Sequence, residues 1–384
     1  MAFAMGALKN IWEGNVIMEI THIDTRILAA RNAGTWLAED LIASPLSWDA
    51  TLHDRRDSWM GLQEIVVIKV ETSAGYTGWG QTRGGAATEA VITKHLAPLL
   101  LHQDPRKRTV LWDRMDRATW PYGRGGIASH AISALDIALW DITAKSVHMP
   151  LHQLIGGLAH DRIPVYVTTN DWRLTSGVRF AGYKIAMPCG PADGQLGMDR
   201  NVRLVSKMRK NIGPVAPLMV DCFASWDVPY LVTIAKMLEP YNIAWFEDPL
   251  PPQQLDSYAT ARRRLPHITL ALGNFEFGED GLVSLMERGL VDILQPDMTW
   301  AGGITGALRI LGWARRFGVS VAWHNAASQP WALQVMAATP GPSALAELVL
   351  TDSFQELKET LSFDIIDGTM KVPSTIGIGW PMAD

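Results

Sequence analysis

Eight short apolar segments recur along the sequence from residue 163 onward, with enough residues in most gaps for a helix. They cover residues 163–168, 182–186, 217–221, 243–247, 269–274, 291–295, 319–324 and 345–350. Short buried strands that alternate with helical segments are typical of parallel β-α units. Eight such units in succession predict a (β/α)8 barrel, which makes this an α/β protein.

An open, doubly wound sheet would also alternate strands with helices. Such sheets usually carry a glycine-rich phosphate-binding loop after an early strand. The sequence contains neither a G-x-G-x-x-G motif nor a P-loop. The closed barrel is therefore the favoured prediction.

The N-terminal part has a different pattern, in which strands precede helices. Residues 16–24 and 65–72 have strand character, residues 75–78 supply a turn, and residues 89–101 and 128–146 have helical periodicity. We therefore predict an α+β capping domain over residues 1–150 and the barrel, with its metal and acid/base site, over residues 151–350. The C-terminal segment, residues 351–384, is predicted to return to the capping domain.

Composition excludes several classes of protein. Hydrophobic residues make up 48% of the 384 residues, which is enough for a large core. The chain has 34 basic and 39 acidic residues, and the basic residues form no cluster in the sequence. Nucleic acid binding is therefore not expected. No apolar run is long enough to cross a membrane. The two cysteines exclude a disulfide scaffold, and we expect a cytoplasmic protein.

Polar side chains lie on or just after the predicted strands. They are Lys184, Asp221, Glu247, Asn274, Asp297, His324 and Glu347, and from Asp221 onward they are spaced by 23 to 27 residues. One β-α unit has about this length, so these side chains should project from a single rim. In a barrel this rim, at the carboxyl ends of the strands, is where catalytic residues lie.

Three of these residues form a candidate metal site. Asp221, Glu247 and Asn274 would supply two carboxylates and one amide oxygen from consecutive strands. Hard oxygen donors without His or Cys favour Mg²⁺ over zinc. Acidic residues also end strands because turns favour them, but three in phase are less simply explained in that way.

The remaining rim residues suggest acid/base chemistry. Asp297 and His324 follow neighbouring strands, so the carboxylate can orient the imidazole and raise its basicity. A lone histidine in an apolar strand is more often a core residue, and a lone lysine more often lies on the surface. Lys184 is predicted to face the same rim, and Glu347 is predicted either to contact substrate or to lie on the surface.

Taken together, the rim residues resemble the enolase superfamily, and the Asp–His pair resembles its mandelate racemase subgroup. The closest likeness is to the rhamnonate dehydratase-like acid-sugar dehydratases. It is carried by residues 135–141, 182–184, 189–194, 218–222, 241–247, 250–254, 295–297 and 302–305. The resemblance extends from about residue 16 to the C-terminus.

This resemblance implies an architecture and a set of partners. The capping domain, completed by the C-terminal tail, would cover the barrel mouth and set substrate specificity. Five residues of candidate cap loops would meet the substrate, namely His53, Arg55, Arg56, Trp59 and Arg83. The implied partners are a small sugar acid and further copies of the same chain in a homo-oligomer.

The resemblance also implies a reaction. Mg²⁺ would stabilise the ene-diolate that forms when the proton alpha to a carboxylate is removed. His324, tuned by Asp297, would act as acid and base, Lys184 would neutralise charge or serve as a second acid/base group, and Glu347 would hydrogen-bond the substrate. Loss of water would then give a 2-keto-3-deoxy acid.

The sequence departs from the family pattern at two places. The usual third metal ligand is a glutamate, but here Gly273 is followed by Asn274, and Glu276 is the alternative ligand. The second lysine of the Lys-x-Lys pair found in many racemases and cycloisomerases is absent, since residue 186 is alanine. Dehydration is favoured. Epimerisation or cycloisomerisation stays an alternative, as does a non-catalytic homologue with a weakened metal site.

Overall fold

A three-stranded antiparallel sheet opens the fold. The computed structural model describes residues 18–28, 42–52, 64–175, 177–341, 345–350 and 365–380. Strands β1 (Ile20–Leu28) and β3 (Thr77–Arg83) each pair with β2 (Ile65–Thr72), so that β2 lies in the middle. Val66, Ile68 and Val70 alternate along β2 and are fully buried. One face of this sheet therefore belongs to a hydrophobic core.

Helices cover that face. They are α1 (Gly85–Val91), which continues through a π-helical turn (Ile92–Leu96) into α2 (Ala97–Leu100), then α3 (Arg108–Thr119) and α4 (Ile127–Ser146). The short helix α5 (Leu151–Ile155) follows, and its Leu151 belongs to the hydrophobic core of the second unit. Helix α4 crosses β3 very closely. A Cβ atom added at Gly80 would lie only 1.9 Å from the carbonyl oxygen of Ala134, so glycine is required there.

Eight parallel strands form the second unit. They are β4 (Arg162–Thr168), β5 (Gly182–Ala186), β6 (Leu218–Asp221), β7 (Ile243–Glu247), β8 (Leu270–Leu272), β9 (Ile293–Leu294), β10 (Ser320–Trp323) and β11 (Leu345–Val349). Each strand pairs with the next, and β11 pairs with β4 from Ala346–Val165 to Val349–Thr168. The barrel is closed, and the predicted fold class is confirmed.

Six α-helices connect these strands. They are α6 (Gly194–Ile212), α7 (Val228–Leu238), α8 (Leu255–Arg264), α9 (Glu279–Glu287), α10 (Gly303–Phe317) and α11 (Pro330–Ala337). The link between β4 and β5 has a 3₁₀ turn, Trp172–Thr175, instead of an α-helix among its described residues. Several strands are shorter than predicted. Strand β8, for example, ends before Gly273, whose φ of 125° leaves the strand conformation.

The described part of the C-terminal tail ties the two units together. Strands β12 (Ile365–Ile366) and β13 (Thr369–Lys371) form a hairpin, and β13 pairs antiparallel with the start of β4. Further along, the Ile378 amide donates to Asp141 on α4 over 3.0 Å. The tail therefore contacts both the barrel and the helix that covers the N-terminal sheet.

Helix α4 also joins the N-terminal unit to the barrel. Asp136 accepts hydrogen bonds from the amide and the hydroxyl of Thr305, at 2.8 and 2.6 Å, in the first turn of α10. Trp140 donates from its indole to the same hydroxyl at 2.9 Å. Across the described ranges, no helix is long and apolar enough to span a membrane. The proposed residue boundaries of the domains stay a prediction.

Candidate active site

A buried lysine lies at the centre of the barrel mouth. Strand β5 carries Lys184, whose side chain is 1% exposed. Its Nζ lies 2.5 Å from a carboxylate oxygen of Glu247, 2.7 Å from one of Glu347 and 3.4 Å from one of Asp221. Because β5, β6, β7 and β11 are parallel strands of one closed barrel, residues far apart in sequence meet around one ammonium group.

Both glutamates of this cluster have further partners. Glu247 accepts hydrogen bonds from Gln295 at 2.7 Å and from the Trp245 indole at 3.3 Å. Glu347 accepts from the Thr168 hydroxyl at 2.5 Å and from the Asn325 amide at 3.0 Å. Neither carboxylate is free to rotate, so the cluster is rigid.

The candidate metal ligands differ in whether their side-chain oxygen atoms have hydrogen-bond or ion-pair partners. Asp221 accepts from the Phe223 amide at 3.1 Å through one oxygen and faces Lys184 through the other. The amide oxygen of Asn274 is buried and has no hydrogen-bond partner among the residues that the structure describes. A buried acceptor without a partner is costly, so this oxygen is a good candidate for a ligand to a bound cation.

Glu276, the alternative ligand, lies elsewhere on the loop. Its Oε2 is next to Gly281 in the first turn of α9, so close that a Cβ atom at position 281 would be 1.8 Å away. Its pKa is raised because the carboxyl is largely desolvated. Of the two candidates for the third ligand, Asn274 has a fully buried oxygen without a partner among the described residues, whereas Glu276 is only partly buried.

The charges of the lysine cluster do not balance. One ammonium group faces the carboxyl groups of Asp221, Glu247 and Glu347, which leaves an excess of two negative charges if all three are ionised. Burial, opposed by Lys184, raises the pKa of Asp221 to about 6 and that of Glu247 to about 8. A bound divalent cation would remove this excess, which fits the oxygen-only donor set.

The Asp–His pair lies on the same rim. His324 Nδ1 lies 2.8 Å from Asp297 Oδ2. Asp297 also accepts from Gln329 at 3.2 Å, and from the amide and the hydroxyl of Thr299 at 2.7 Å each. Burial would raise the pKa of Asp297, but its hydrogen bonds with His324 and Thr299 outweigh burial and lower it. The carboxylate is therefore ionised, and it holds the imidazole in one orientation.

Glu347 connects the Asp–His pair to the lysine cluster. One of its oxygens contacts Lys184, and the other lies 3.9 Å from His324 Nε2. Burial opposes ionisation of Glu347, but Lys184, His324 and the Thr168 hydrogen bond lower its pKa to about 2. A negative charge therefore persists beside the Nε2 atom of His324.

One of the five predicted cap residues can be located. Arg83 ends β3, and burial lowers its pKa while the nearby Asp297 charge opposes that effect. Its guanidinium group is thus close enough to interact electrostatically with the Asp–His pair. The other four predicted cap residues, His53, Arg55, Arg56 and Trp59, lie outside the described residues.

Sequence reasoning missed several residues that complete this site. Thr168 ends β4, and Gln295 follows β9, so the same strand-end criterion would have found both. The strand-end criterion gives no signal for Gln329, which immediately precedes α11, or for Thr82 on β3 and His130 on α4. Their positions depend on how loops and the N-terminal unit pack against the barrel, which periodicity does not show.

Two protein-family models match the chain. The mandelate racemase / muconate lactonizing enzyme N-terminal domain model matches residues 56–156, and the enolase C-terminal domain-like model matches residues 173–384. The chain belongs to the enolase superfamily. The resemblance found in the sequence is thereby confirmed.

Two curated relatives of the chain are named as L-rhamnonate dehydratases, one of them as putative. A putative L-rhamnonate dehydratase from Caldivirga maquilingensis is 35% identical over 74% of this chain and 72% of its own length. An L-rhamnonate dehydratase from Saccharopolyspora erythraea is 33% identical over 76% of this chain and 75% of its own. A solved structure of rhamnonate dehydratase from Gibberella zeae, complexed with Mg, has a TM-score of 0.85 at 27% identity, covering 95% of this chain and 94% of that one.

The candidate ligands Asp221, Glu247 and Asn274 are all oxygen donors, which suits magnesium. In the described part of the chain, no three His, Cys, Asp or Glu side chains converge in a geometry that could hold a metal ion. The candidate set of Asp221, Glu247 and Asn274 includes one donor outside those residue types. Among the residues that the structure describes, the amide oxygen of Asn274 is buried without a hydrogen-bond partner, which makes it a candidate third ligand.

Proposed function

We propose that this protein is a Mg²⁺-dependent acid-sugar dehydratase that acts on L-rhamnonate or a closely related stereoisomer. The product would be a 2-keto-3-deoxy acid. The observation that carries the proposal is the Asp297–His324 pair, bonded over 2.8 Å on the same rim as the carboxylate cluster. The names of the curated relatives and the magnesium complex of the Gibberella zeae enzyme support it.

Asp221, Glu247 and Asn274 are the residues that would hold Mg²⁺. When bound, the ion supplies positive charge that stabilises the negative charge developing on the substrate carboxylate. Both carboxylates are deeply buried, so water competes weakly with substrate oxygen at this position.

His324 is the group we propose to remove the proton alpha to the carboxylate. Its Nδ1 faces the ionised Asp297, so Nδ1 carries a proton and Nε2 carries the lone pair. Transfer of the alpha proton to Nε2 breaks the carbon–hydrogen bond and leaves the electron pair on the substrate. The Asp297 charge stabilises the imidazolium that results, and such oriented proton transfer contributes roughly 10²–10⁴-fold.

The same histidine can complete the dehydration. The electron pair forms a carbon–carbon double bond as the beta carbon–oxygen bond breaks, and His324 Nε2 returns its proton to the departing hydroxyl as water. The enol then loses its hydroxyl proton and gains a proton at the beta carbon, both exchanged with water, which gives the 2-keto acid. No second acid/base residue is needed for this sequence.

Lys184 has a charge-neutralising role in this proposal. Burial would lower its pKa, but Glu247, Glu347 and Asp221 outweigh burial and raise it well above the ordinary value. An ammonium group that contacts three carboxylates is placed to neutralise charge. Epimerisation needs a second base on the opposite face of the substrate, so the environment of Lys184 favours dehydration over that alternative.

A substrate screen tests the proposal. The purified protein with Mg²⁺ is incubated with L-rhamnonate, its stereoisomers and sugar diacids, and 2-keto-3-deoxy acid is trapped as its semicarbazone. We expect product with wild-type protein and a loss of at least about 10³-fold with His324→Asn. Turnover that survives His324→Asn would refute the mechanism.

Two further outcomes separate the alternatives. Deuterium entering recovered substrate without loss of water would identify an epimerase or a related isomerase. No turnover combined with no calorimetric Mg²⁺ binding would identify a non-catalytic homologue.

A further inference from the structure

One hydroxyl group of the N-terminal unit reaches the loop that carries Asp297. Thr82 lies on β3 and is fully buried, and its Oγ1 donates to the backbone carbonyl oxygen of Thr299 over 2.7 Å. The two residues are 217 positions apart in sequence. This contact is a direct link between the antiparallel sheet and the loop after β9.

Thr299 is in turn hydrogen-bonded to Asp297 of the Asp–His pair. Its amide and its hydroxyl both donate to Asp297 Oδ1, each at 2.7 Å. The other oxygen of Asp297 lies 2.8 Å from His324 Nδ1. A continuous series of hydrogen bonds therefore joins Thr82 to the imidazole of His324.

The Thr82 hydroxyl also contacts a second histidine. His130 on α4 places Nδ1 2.8 Å from Thr82 Oγ1. A hydroxyl has one proton, and that proton is given to Thr299, so His130 Nδ1 must be the donor in this contact. Burial lowers the pKa of His130 to about 4, against the opposing effect of Asp297, so the ring is a neutral Nδ1–H tautomer at neutral pH.

The ring of His130 is itself held in place. It packs at 5.6 Å from the Phe277 ring and at 5.5 Å from the Trp300 ring. The Trp300 ring in turn lies 5.2 Å from that of His324. Two routes, one hydrogen-bonded and one aromatic, thus connect α4 with His324.

We propose that Thr82 and His130 are positioning residues that orient His324 through Thr299 and Asp297. Docking of the N-terminal unit would then be required for a correctly aimed base, in addition to any contact this unit makes with substrate. The proposal rests on the proposed function only for its activity measurement, since the orientation of His324 can be observed without turnover.

The physical basis is the cost of unpaired buried groups. Replacing Thr82 by valine keeps its shape but leaves the Thr299 carbonyl and the His130 Nδ1–H without this partner. The loop has other anchors at its far end, where Gly302 donates to Ser133 and accepts from Trp112. Loss of the Thr82 hydroxyl should therefore displace the part of the loop next to Asp297. A small misplacement of a base is enough to slow proton transfer.

The test uses full-length protein labelled with ¹⁵N-histidine. The Nδ1 proton of His324 is assigned as the imidazole signal that His324→Asn removes, and its exchange with water is measured in Thr82→Val, Thr82→Ser and Thr143→Val. Thr143 is a matched control because, among the described residues, its buried hydroxyl bonds only to the Leu139 carbonyl of its own helix, at 2.8 Å. We expect exchange at least about tenfold faster in Thr82→Val alone, with Thr82→Ser restoring the wild-type rate.

Steady-state kinetics with Mg²⁺ and L-rhamnonate provide a second readout. In Thr82→Val we expect kcat to fall roughly 10–100-fold, with KM changed less than about threefold. His130→Phe, which retains the ring but not the donor, should show a smaller effect in the same direction and serves if Thr82→Val does not fold. If L-rhamnonate is not turned over, the proposed substrate is wrong, and the exchange measurement still decides this proposal. Exchange in Thr82→Val equal to that in Thr143→Val would overturn it.

Discussion

Removing the buried ammonium group of Lys184 should destabilise the protein strongly when no metal is bound. In Lys184→Met the side chain keeps its length, but three carboxyl groups lose a cation that lies 2.5 to 3.4 Å away. Removing one partner of a buried ion pair typically costs about 3–5 kcal/mol. Because two of these contacts are shorter than 3 Å and the lysine is fully buried, we expect a value in that range.

The expected loss depends on pH and on magnesium. Carboxyl groups without a counter-cation can become neutral by protonation, so the loss in free energy of unfolding should be smaller at pH 5 than at pH 8. Saturating Mg²⁺ supplies positive charge at the same cluster and should recover part of the loss. Urea unfolding of wild type and variant, with and without Mg²⁺ at both pH values, measures all of these differences.

A surface lysine gives the matched control. Lys69 pairs with Glu71 over 2.7 Å, but both side chains are about one third exposed. Lys69→Met should therefore leave the free energy of unfolding essentially unchanged at either pH. If Lys184→Met were as stable as Lys69→Met in the absence of Mg²⁺, the central position assigned to Lys184 would be incorrect.

Two further measurements address the metal site and the interface between the units. Calorimetric Mg²⁺ binding should weaken at least about tenfold in Asn274→Ala and stay unchanged in Glu276→Gln, and the reverse result would make Glu276 the ligand. Burial raises the pKa of Asp136 to about 7. Since the unfolded chain ionises this group near pH 4, it lowers stability as pH rises from 4 to 7, by up to about 1.4 kcal/mol per pH unit. Asp136→Asn can still bond both Thr305 groups, so in urea unfolding it should be more stabilising at pH 8 than at pH 5. An equal effect at both pH values would contradict the raised pKa.

The barrel could be predicted because strand alternation and strand-end chemistry act locally. Each strand of a parallel barrel is buried on both sides, so it is a short apolar run that ends in a polar residue at the mouth. Asp221 and Glu247 end β6 and β7 as this pattern requires. The strand lengths were overestimated where the chain turns early, as at Gly273.

The contacts around each side chain could not be predicted in the same way. Spacing placed Lys184 on the rim, but it did not show that Glu247 and Glu347, 63 and 163 residues later, meet the same ammonium group. Thr82 and His130 belong to a strand and a helix of the N-terminal unit, and their function depends on docking against a distant loop. Such positions follow from tertiary packing, about which a single sequence carries little information.

The charge around Lys184 also changes how Asn274 should be interpreted. From the sequence, an amide in place of a carboxylate weakens a magnesium site. In the structure, Asp221, Glu247 and Glu347 already surround one ammonium group, which leaves two negative charges for a divalent ion to neutralise. A carboxylate at position 274 would add a further negative charge to a mouth where the buried Asp248 already interacts with Asp221 and Glu247, at a cost in stability. We infer that a neutral oxygen donor suits this site because it adds no charge to a buried cluster that is already rich in carboxyl groups.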